Sequence, residues 1–333
     1  MIAGVRPAVK TGENGQVNQR PGPQPARFDR DEFEPAWLAE AKVQRGNLFV
    51  SVCLPAKDEA ATVGTVVARI RELGAQWGVV DEVVVVDDGS TDATVEVAAD
   101  AGAVVVRAAD VLPECGPGTG KGEALWKALY AAKGDVLVFC DADIRQFDAS
   151  FVTGLLGPLL LDDRIGFVKG RYERPGDGGR VTELVARPVI TLLFPQLAGF
   201  DQPLAGEFAG RREVLERVPF VEGYGVDLAL LVDVVTDLGL DRVAQVDLHE
   251  RLHRNRPLAE LAPQAEAVLR TALQRAGVRT EGATLVERPP IVTVPAYSNG
   301  VRARSRDGVR ARSRDGIRAR SRDGLRARSR RQP

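Results

Sequence analysis

The chain has 333 residues, an apolar fraction of 44% and a formal net charge of −1. That length holds one large domain or two ordinary ones. No apolar run is long enough to span a bilayer and the first residues lack the apolar centre of a signal peptide, so a soluble, cytoplasmic protein with no membrane partner is expected.

Residues 1–30 are rich in Pro, Gly and Gln and read as a disordered arm. "RDEFEPAWLAEAKVQRG" predicts a short helix leading into the fold. From Asn47 the pattern becomes regular. "LFVSVCLPA" is a strand, and "DEAATVGTVVARIRELG" a helix with apolar residues at helical spacing and Gly74 at its end. "DEVVVVDDGS" is a buried strand, "TDATVEVAADAG" a helix, "AVVVRA" a strand, "GEALWKALYAA" a helix and "DVLVFCDAD" a fourth strand. Alternating strands and helices imply a mostly parallel sheet flanked by helices, an α/β fold of Rossmann-like type. Further on, "GFVKGRYER" reads as a strand and "GGRVTELVARPVITLLF" as a helix despite Pro188. "GVDLALLVDVVTDLG" is a helix, "RVAQVDL" a strand and "LAELAPQAEAVLRTALQRAG" a helix. Residues 31–145 form one expected half and 146–280 a second.

Residues 281–333 read as a disordered tail that ends in an octapeptide repeat, "VRARSRDG". Residues 301–333 hold 13 Arg and 3 Asp, a net of +10, which leaves residues 1–300 at −11. Such a tail could attract nucleic acid, but a solvated repeat produced by duplication is the favoured reading, and no nucleic-acid partner is expected. Of the three cysteines, Cys53 and Cys140 sit inside apolar strands and read as small core residues.

In open parallel sheets, ligands bind beyond the carboxyl ends of the strands. Three strand ends here are polar: Pro55-Ala56-Lys57-Asp58-Glu59, Asp87-Asp88-Gly89-Ser90-Thr91-Asp92 and Asp141-Ala142-Asp143. Helix capping accounts for part of this, above all for Ser90, Thr91 and Asp92. It does not account for three acidic clusters on one sheet edge. In an extended chain Asp141 and Asp143 point the same way and repel each other unless a cation lies between or beside them. Hard carboxylate oxygens suit Mg2+ or Mn2+, ions that commonly bind substrate phosphates. "GPGTGKG" lacks the spacing of a phosphate-binding P-loop: three residues separate Gly116 from Gly120, and Gly122 follows Lys121. A dinucleotide-binding dehydrogenase is excluded because the first strand runs into "PAKDEA" rather than a Gly-rich turn. His249 and His253 are the only histidines; no HExxH zinc pattern accompanies them, and His249 is taken as structural.

"VSVCLPAKDEAATV", "VVVVDDGSTDAT", "GKGEALW" and "VFCDAD" together resemble the nucleotide-binding half of a GT-A glycosyltransferase. "GPGTGKGEALW", "GGRVTELVARP", "QPLAGEFAGRRE", "PFVEGYGVDLALL" and "HRNRPLAEL" resemble, more narrowly, the retaining glucosyl-3-phosphoglycerate and mannosyl-3-phosphoglycerate synthases, from about Leu48 to Gly277. These are the first enzymes of glucosylglycerate or mannosylglycerate synthesis. The resemblance implies that Pro55, Ala56, Glu59 and Asp88 line the nucleoside pocket, and that Asp141 and Ala142 belong to the donor site. Lys121 would reach the diphosphate, and Asp143 would be the principal metal ligand with His253. Gly179, Arg180, Thr182 and Asn255 would hold 3-phosphoglycerate in the C-terminal acceptor-binding portion. Asp227, where some relatives have Glu, would lie close to the acceptor and share the catalytic role with Lys121. A homodimer is implied as well.

Gly179 and Arg180 open a helix, whose free N–H groups and dipole suit a phosphate. The donor is open between GDP-mannose and UDP-glucose, with GDP-glucose a third choice. A carboxylate at position 88 can accept two hydrogen bonds from a guanine edge, which favours GDP-mannose. Two rivals remain: a non-catalytic sugar-nucleotide sensor on the same fold, and a transferase acting on lipid or polysaccharide.

Overall fold

The computed structural model describes residues 24–173, 179–250, 258–281 and 285–298. In chain order the regular elements are β1 (Ala26–Asp29), α1 (Pro35–Gln44), β2 (Val50–Ala56), α2 (Val63–Trp77), β3 (Glu82–Asp87), α3 (Thr94–Asp100), β4 (Val104–Arg107), α4 (Lys121–Ala131) and β5 (Val136–Phe139). There follow α5 (Ser150–Leu161), β6 (Phe167–Glu173), α6 (Arg187–Leu193), β7 (Phe208–Arg211), α7 (Arg212–Leu215), β8 (Phe220–Val221), α8 (Val226–Leu238), β9 (Val243–Glu250), α9 (Leu258–Arg275) and β10 (Glu287–Arg288).

Eight strands make one sheet in the order β1-β9-β6-β7-β5-β2-β3-β4. It is parallel throughout except for β7, which runs antiparallel to both β5 and β6. The expected halves therefore meet inside a single sheet. Successive side chains of a strand face opposite ways, and two cores result. Cys53, Val84, Val86, Leu137 and Phe139 pack under α4 and α8. Val52, Leu54, Val83, Val85, Val136 and Val138 pack under α1, α2 and α5. Cys53 and Cys140 are free thiols in these cores, as expected.

Helix α5 and strand β7 escaped the sequence reading, as did the short α7 and β8. Helix α5 is buried around nearly its whole circumference, so it shows no polar face to betray a helical period. Its glycines serve close packing: a Cβ on Gly157 would lie 2.2 Å from the Phe33 ring. Strand β7 is short and preceded by Gly206, a weak strand signal. One boundary also moves. Helix α2 runs past Gly74 to Trp77 and ends at Gly78, whose φ of 68° supplies the left-handed cap. Gly74 has a different purpose, since a Cβ there would sit 2.7 Å from the Val80 carbonyl. The helix around Pro188 does form. A π-helical stretch, Thr182–Ala186, precedes the proline and widens the turn where its missing N–H would leave a gap.

Parts of both ends expected to be disordered are ordered. Residues 26–29 form β1, paired in parallel with β9, because β9 would otherwise expose its hydrogen-bonding edge. Residues 285–298 return to the body. Ile291, Val294 and Tyr297 are buried, and Trp126 Nε1 donates to the Pro289 carbonyl at 2.9 Å. Arg212 donates to Tyr297 Oη at 2.8 Å and to the Leu129 and Ala132 carbonyls at 2.7 and 2.8 Å. The Arg repeat lies outside the described residues. Ending the chain after Ser298 is expected to leave the melting temperature nearly unchanged. Ending it before residue 285 should lower it by several degrees, since burial of three apolar side chains is lost. Thermal unfolding of the two truncations checks both.

Candidate active site

The sheet brings three loops to one edge. After β2 the chain makes a sharp turn at Asp58, whose φ is 57°. The Asp58 carboxylate accepts from Thr91 N at 2.6 Å, Thr91 Oγ1 at 3.1 Å and Asp92 N at 3.3 Å. These bonds, led by that from the Thr91 backbone, hold its carboxyl below the usual range. Asp58 N donates back to Ser90 Oγ and Glu59 N to Thr94 Oγ1. The ends of β2 and β3 are thus laced into one wall containing Pro55, Ala56, Glu59 and Asp88. Asp92 also accepts from Thr94 N at 3.0 Å, although the N-cap of α3 is Ala93 rather than the expected Ser90, Thr91 or Asp92.

Asp88 faces the start of α4. Its Oδ2 accepts from the Gly120 amide at 2.9 Å and lies 3.8 Å from Lys57 Nζ. Burial pushes its carboxyl up, against the pull of the Gly120 hydrogen bond and of Lys57. Lys121 is the first residue of α4, and its ammonium bridges two carboxylates: 2.8 Å to Asp141 Oδ1 and 3.3 Å to Asp227 Oδ2. Burial alone would lower the Lys121 pKa, but Asp141 and Asp227 outweigh it and hold the group well above its ordinary value. Lys121 is therefore a fixed cation at the sheet edge. Asp227 is in the first turn of α8, and its Oδ1 is a buried oxygen with no hydrogen-bond partner.

Asp141 reaches this cluster by strand parity. Phe139 faces the core under α4 and α8, Cys140 faces the other, and Asp141 is next on the α4 side. Beyond it the extended chain stops. Ala142 and Asp143 lie in a turn, so the two carboxylates are not a strand pair as expected. Asp141 and Asp143 are both half-buried and Ala142 is buried. This donor set of hard carboxylate oxygens at the edge fits Mg2+ or Mn2+.

Sequence reasoning missed two charged members. Lys169, on β6, and Glu207, just before β7, are fully buried. Lys169 Nζ donates to the Asp227 carbonyl at 3.3 Å and lies 5.7 Å from the Phe208 ring centre. Burial pulls its pKa down to about 8, against Asp227, which raises it. The signal was there: "FVKG" places a charge inside an apolar strand and "GEFAG" one at the start of another, which is rare without a partner. Gly206 completes the cluster, since a Cβ there would lie 2.3 Å from Lys121 Nζ and 2.5 Å from Asp141 Oδ1.

The structure thus joins Asp88, Lys121, Asp141 and Asp227. Gly179 (φ 79°), Arg180 and Thr182 open the next helix; Arg180 is half-buried and Thr182 buried. His253 and Asn255 lie outside the described residues. His249 closes β9 with φ 63° rather than joining a helix, and its Nε2 lies 3.0 and 3.1 Å from the two oxygens of Asp29 on β1. Its structural reading agrees with that placement.

Glycosyl transferase family 2 matches residues 51–218. The chain is 48% identical to the glucosyl-3-phosphoglycerate synthase of Mycolicibacterium smegmatis over 269 residues, 78% of this chain and 88% of that one. It is 40% identical to the synthase of the same name from Petrotoga mobilis, across 81% of this chain and 94% of that one. Among solved structures, mannosyl-3-phosphoglycerate synthase from Rubrobacter xylanophilus superposes with a TM-score of 0.77 at 38% identity, covering 81% of this chain and 97% of that one. The Mycobacterium tuberculosis glucosyl-3-phosphoglycerate synthase, in complex with Mn2+, UDP-glucose and phosphoglyceric acid, gives 0.75 at 42%, covering 80% and 98%. With a parallel sheet whose edge gathers Lys121, Asp141 and Asp227, the chain belongs to glycosyl transferase family 2 and, within it, to the hexosyltransferases of the glucosyl-3-phosphoglycerate and mannosyl-3-phosphoglycerate synthase family.

Proposed function

We propose that this enzyme transfers glucose from UDP-glucose to the hydroxyl of D-3-phosphoglycerate, giving glucosyl-3-phosphoglycerate. The observation that carries this reading is the Lys121 bridge between Asp141 and Asp227, which seats a permanent cation between the donor and acceptor halves. In the reaction the bond from the sugar's anomeric carbon to the β-phosphate oxygen breaks, and the electron pair leaves with UDP. The acceptor oxygen bonds the same carbon, and its proton passes to the departing phosphate.

Lys121 and the free N–H groups at the start of α4 face the charge that develops on the leaving diphosphate. Asp141 and Asp143 would hold the divalent cation, joined by His253. Bound there, the cation neutralises diphosphate charge as the bond breaks. Pro55, Ala56, Glu59 and Asp88 would line the nucleoside pocket. Asp227 would present Oδ1 to a hydroxyl of sugar or glycerate, giving that buried oxygen a partner. Gly179, Arg180, Thr182 and Asn255 would hold the acceptor's phosphate and carboxylate. The implied homodimer goes with this reading, with sedimentation as its measurement.

UDP-glucose replaces the GDP-mannose expected from Asp88 alone. Relatives at 40–48% identity are glucosyl-3-phosphoglycerate synthases. The Rubrobacter neighbour keeps mannose as the second reading. Steady-state rates with UDP-glucose, GDP-glucose and GDP-mannose are expected to rank UDP-glucose first, and a clear GDP-mannose preference would reverse the assignment.

Asp143→Ala should abolish transfer and retain the folded far-ultraviolet spectrum, and EDTA should inactivate the parent enzyme. Full activity in EDTA would refute metal dependence. Arg180→Lys replaces a two-bond fork with a point charge. Loss of a charge-assisted pair weakens binding about tenfold to a hundredfold, so the KM for 3-phosphoglycerate should rise by that factor with little change for the donor. Glycerate should be a poor acceptor for the parent enzyme and nearly indifferent to the substitution.

A further inference from the structure

The segment read from sequence as tail carries a buried arginine into the donor half. Arg288, on β10, is 9% exposed. Its guanidinium forms a fork with Glu123, Nε to Oε2 at 2.6 Å and Nη2 to Oε1 at 3.0 Å. It also stacks 5.5 Å from the Trp126 ring centre. Its remaining donors go to the backbone of the loop before α4: Nη1 to the Cys115 carbonyl at 2.5 Å and Nη2 to the Gly116 carbonyl at 3.0 Å. Glu123 is fully buried and also takes Lys127 at 2.9 Å, whose ammonium reaches the Ala108 carbonyl at 2.6 Å. One buried network therefore clamps the loop from residue 108 to residue 116, and four residues later the chain delivers Gly120 to Asp88 and Lys121 to Asp141.

The loop's glycines show how tight the clamp is. A Cβ on Gly118 would lie 2.4 Å from the Glu123 carboxylate and 2.6 Å from Arg288 Nη2. One on Gly120 would meet the Gly223 backbone at 3.2 Å, and one on Gly122 the Val221 carbonyl at 1.8 Å. The glycines of "GPGTGKG" thus serve close packing.

We propose that Arg288 is a positioning residue for transfer: it fixes the Gly116–Gly120 loop so that Gly120 stays on Asp88 and the Lys121 ammonium stands ready for the donor diphosphate. This rests on the reading of Lys121 as the group that meets the diphosphate. Four of its five fixed donors serve two carboxylate oxygens and two carbonyls at once, which an ammonium cannot reproduce.

The experiment is a double-mutant cycle of Arg288→Lys and Lys121→Met, with KM measured for donor and acceptor and melting temperatures recorded. Arg288→Lys is expected to lower kcat/KM for UDP-glucose about tenfold or more and to leave the 3-phosphoglycerate KM within about twofold. In the Lys121→Met background it should add almost nothing, because the two act through one group. Additive losses, or equal effects on donor and acceptor, would overturn the proposal; a purely structural clamp would lower the melting temperature without this coupling. If Arg288→Lys fails to fold, Gly118→Ala, which pushes into the same pair with Arg288 retained, must show the donor-selective loss, and parent-like kinetics would overturn the proposal. An unimpaired Lys121→Met would bring down the underlying reading and Arg288 with it. An impaired Lys121→Met with additive Arg288→Lys brings down Arg288 alone.

Discussion

A lysine ammonium removed from water is costly unless carboxylates surround it, and this constraint on Lys121 organises much of the site. Its two partners come from different places, Asp141 from the end of β5 and Asp227 from the first turn of α8. To satisfy one cation, the strand, α4 and α8 must arrive with their ends at one point. Lys169 adds another cation, this one fully buried and tied to the Asp227 backbone. Removing either carboxylate would leave an under-compensated charge, so the arrangement preserves itself even before substrate arrives. In the proposed function this pre-arranged ammonium would face the donor diphosphate.

Close approach of backbone to backbone is the second requirement. Helix α4 reaches the sheet edge only because Gly118, Gly120 and Gly122 have no side chains where Glu123, Gly223 and Val221 pass. The positive φ of Gly116 and Gly120 turns the loop sharply enough to aim the helix N-terminus at Asp88. Buried charges then replace the hydrogen bonds that such an irregular loop cannot make with itself, through Arg288 to carbonyls 115 and 116 and through Lys127 to carbonyl 108. The same logic operates at the opposite edge of the sheet. There β1 covers β9 and Asp29 meets the His249 ring, which gives the last residues of β9 a defined end.

Much of this was legible in the sequence. Continuous apolar runs such as Val83–Val86 and Val136–Phe139 identify strands buried on both faces, and the polar residues that end them identify the sheet edge. Helices α2, α8 and α9 announced themselves by apolar period. Asp141, Lys121 and Asp88 were found from strand ends and a loop before a helix, together with a family resemblance. Local sequence carries these features because side-chain period and strand termination are local properties of the chain.

Other features required the tertiary structure. Helix α5 has no polar face because it is wrapped on all sides, and β7 is a strand because β5 and β6 flank it. Residues 26–29 and 285–298 order because an open strand edge and an apolar surface around Trp126 await them, and neither partner is near in sequence. Lys169, Glu207 and Arg288 are single charges whose meaning depends on what lies across a sheet or more than 160 residues away. The sequence alone determined most of the strands and helices, through apolar period and buried runs that are local to each segment. Which carboxylates share Lys121, and what holds its loop in place, was decided by packing between elements far apart in the chain, where a buried charge must find its partners in space rather than in sequence.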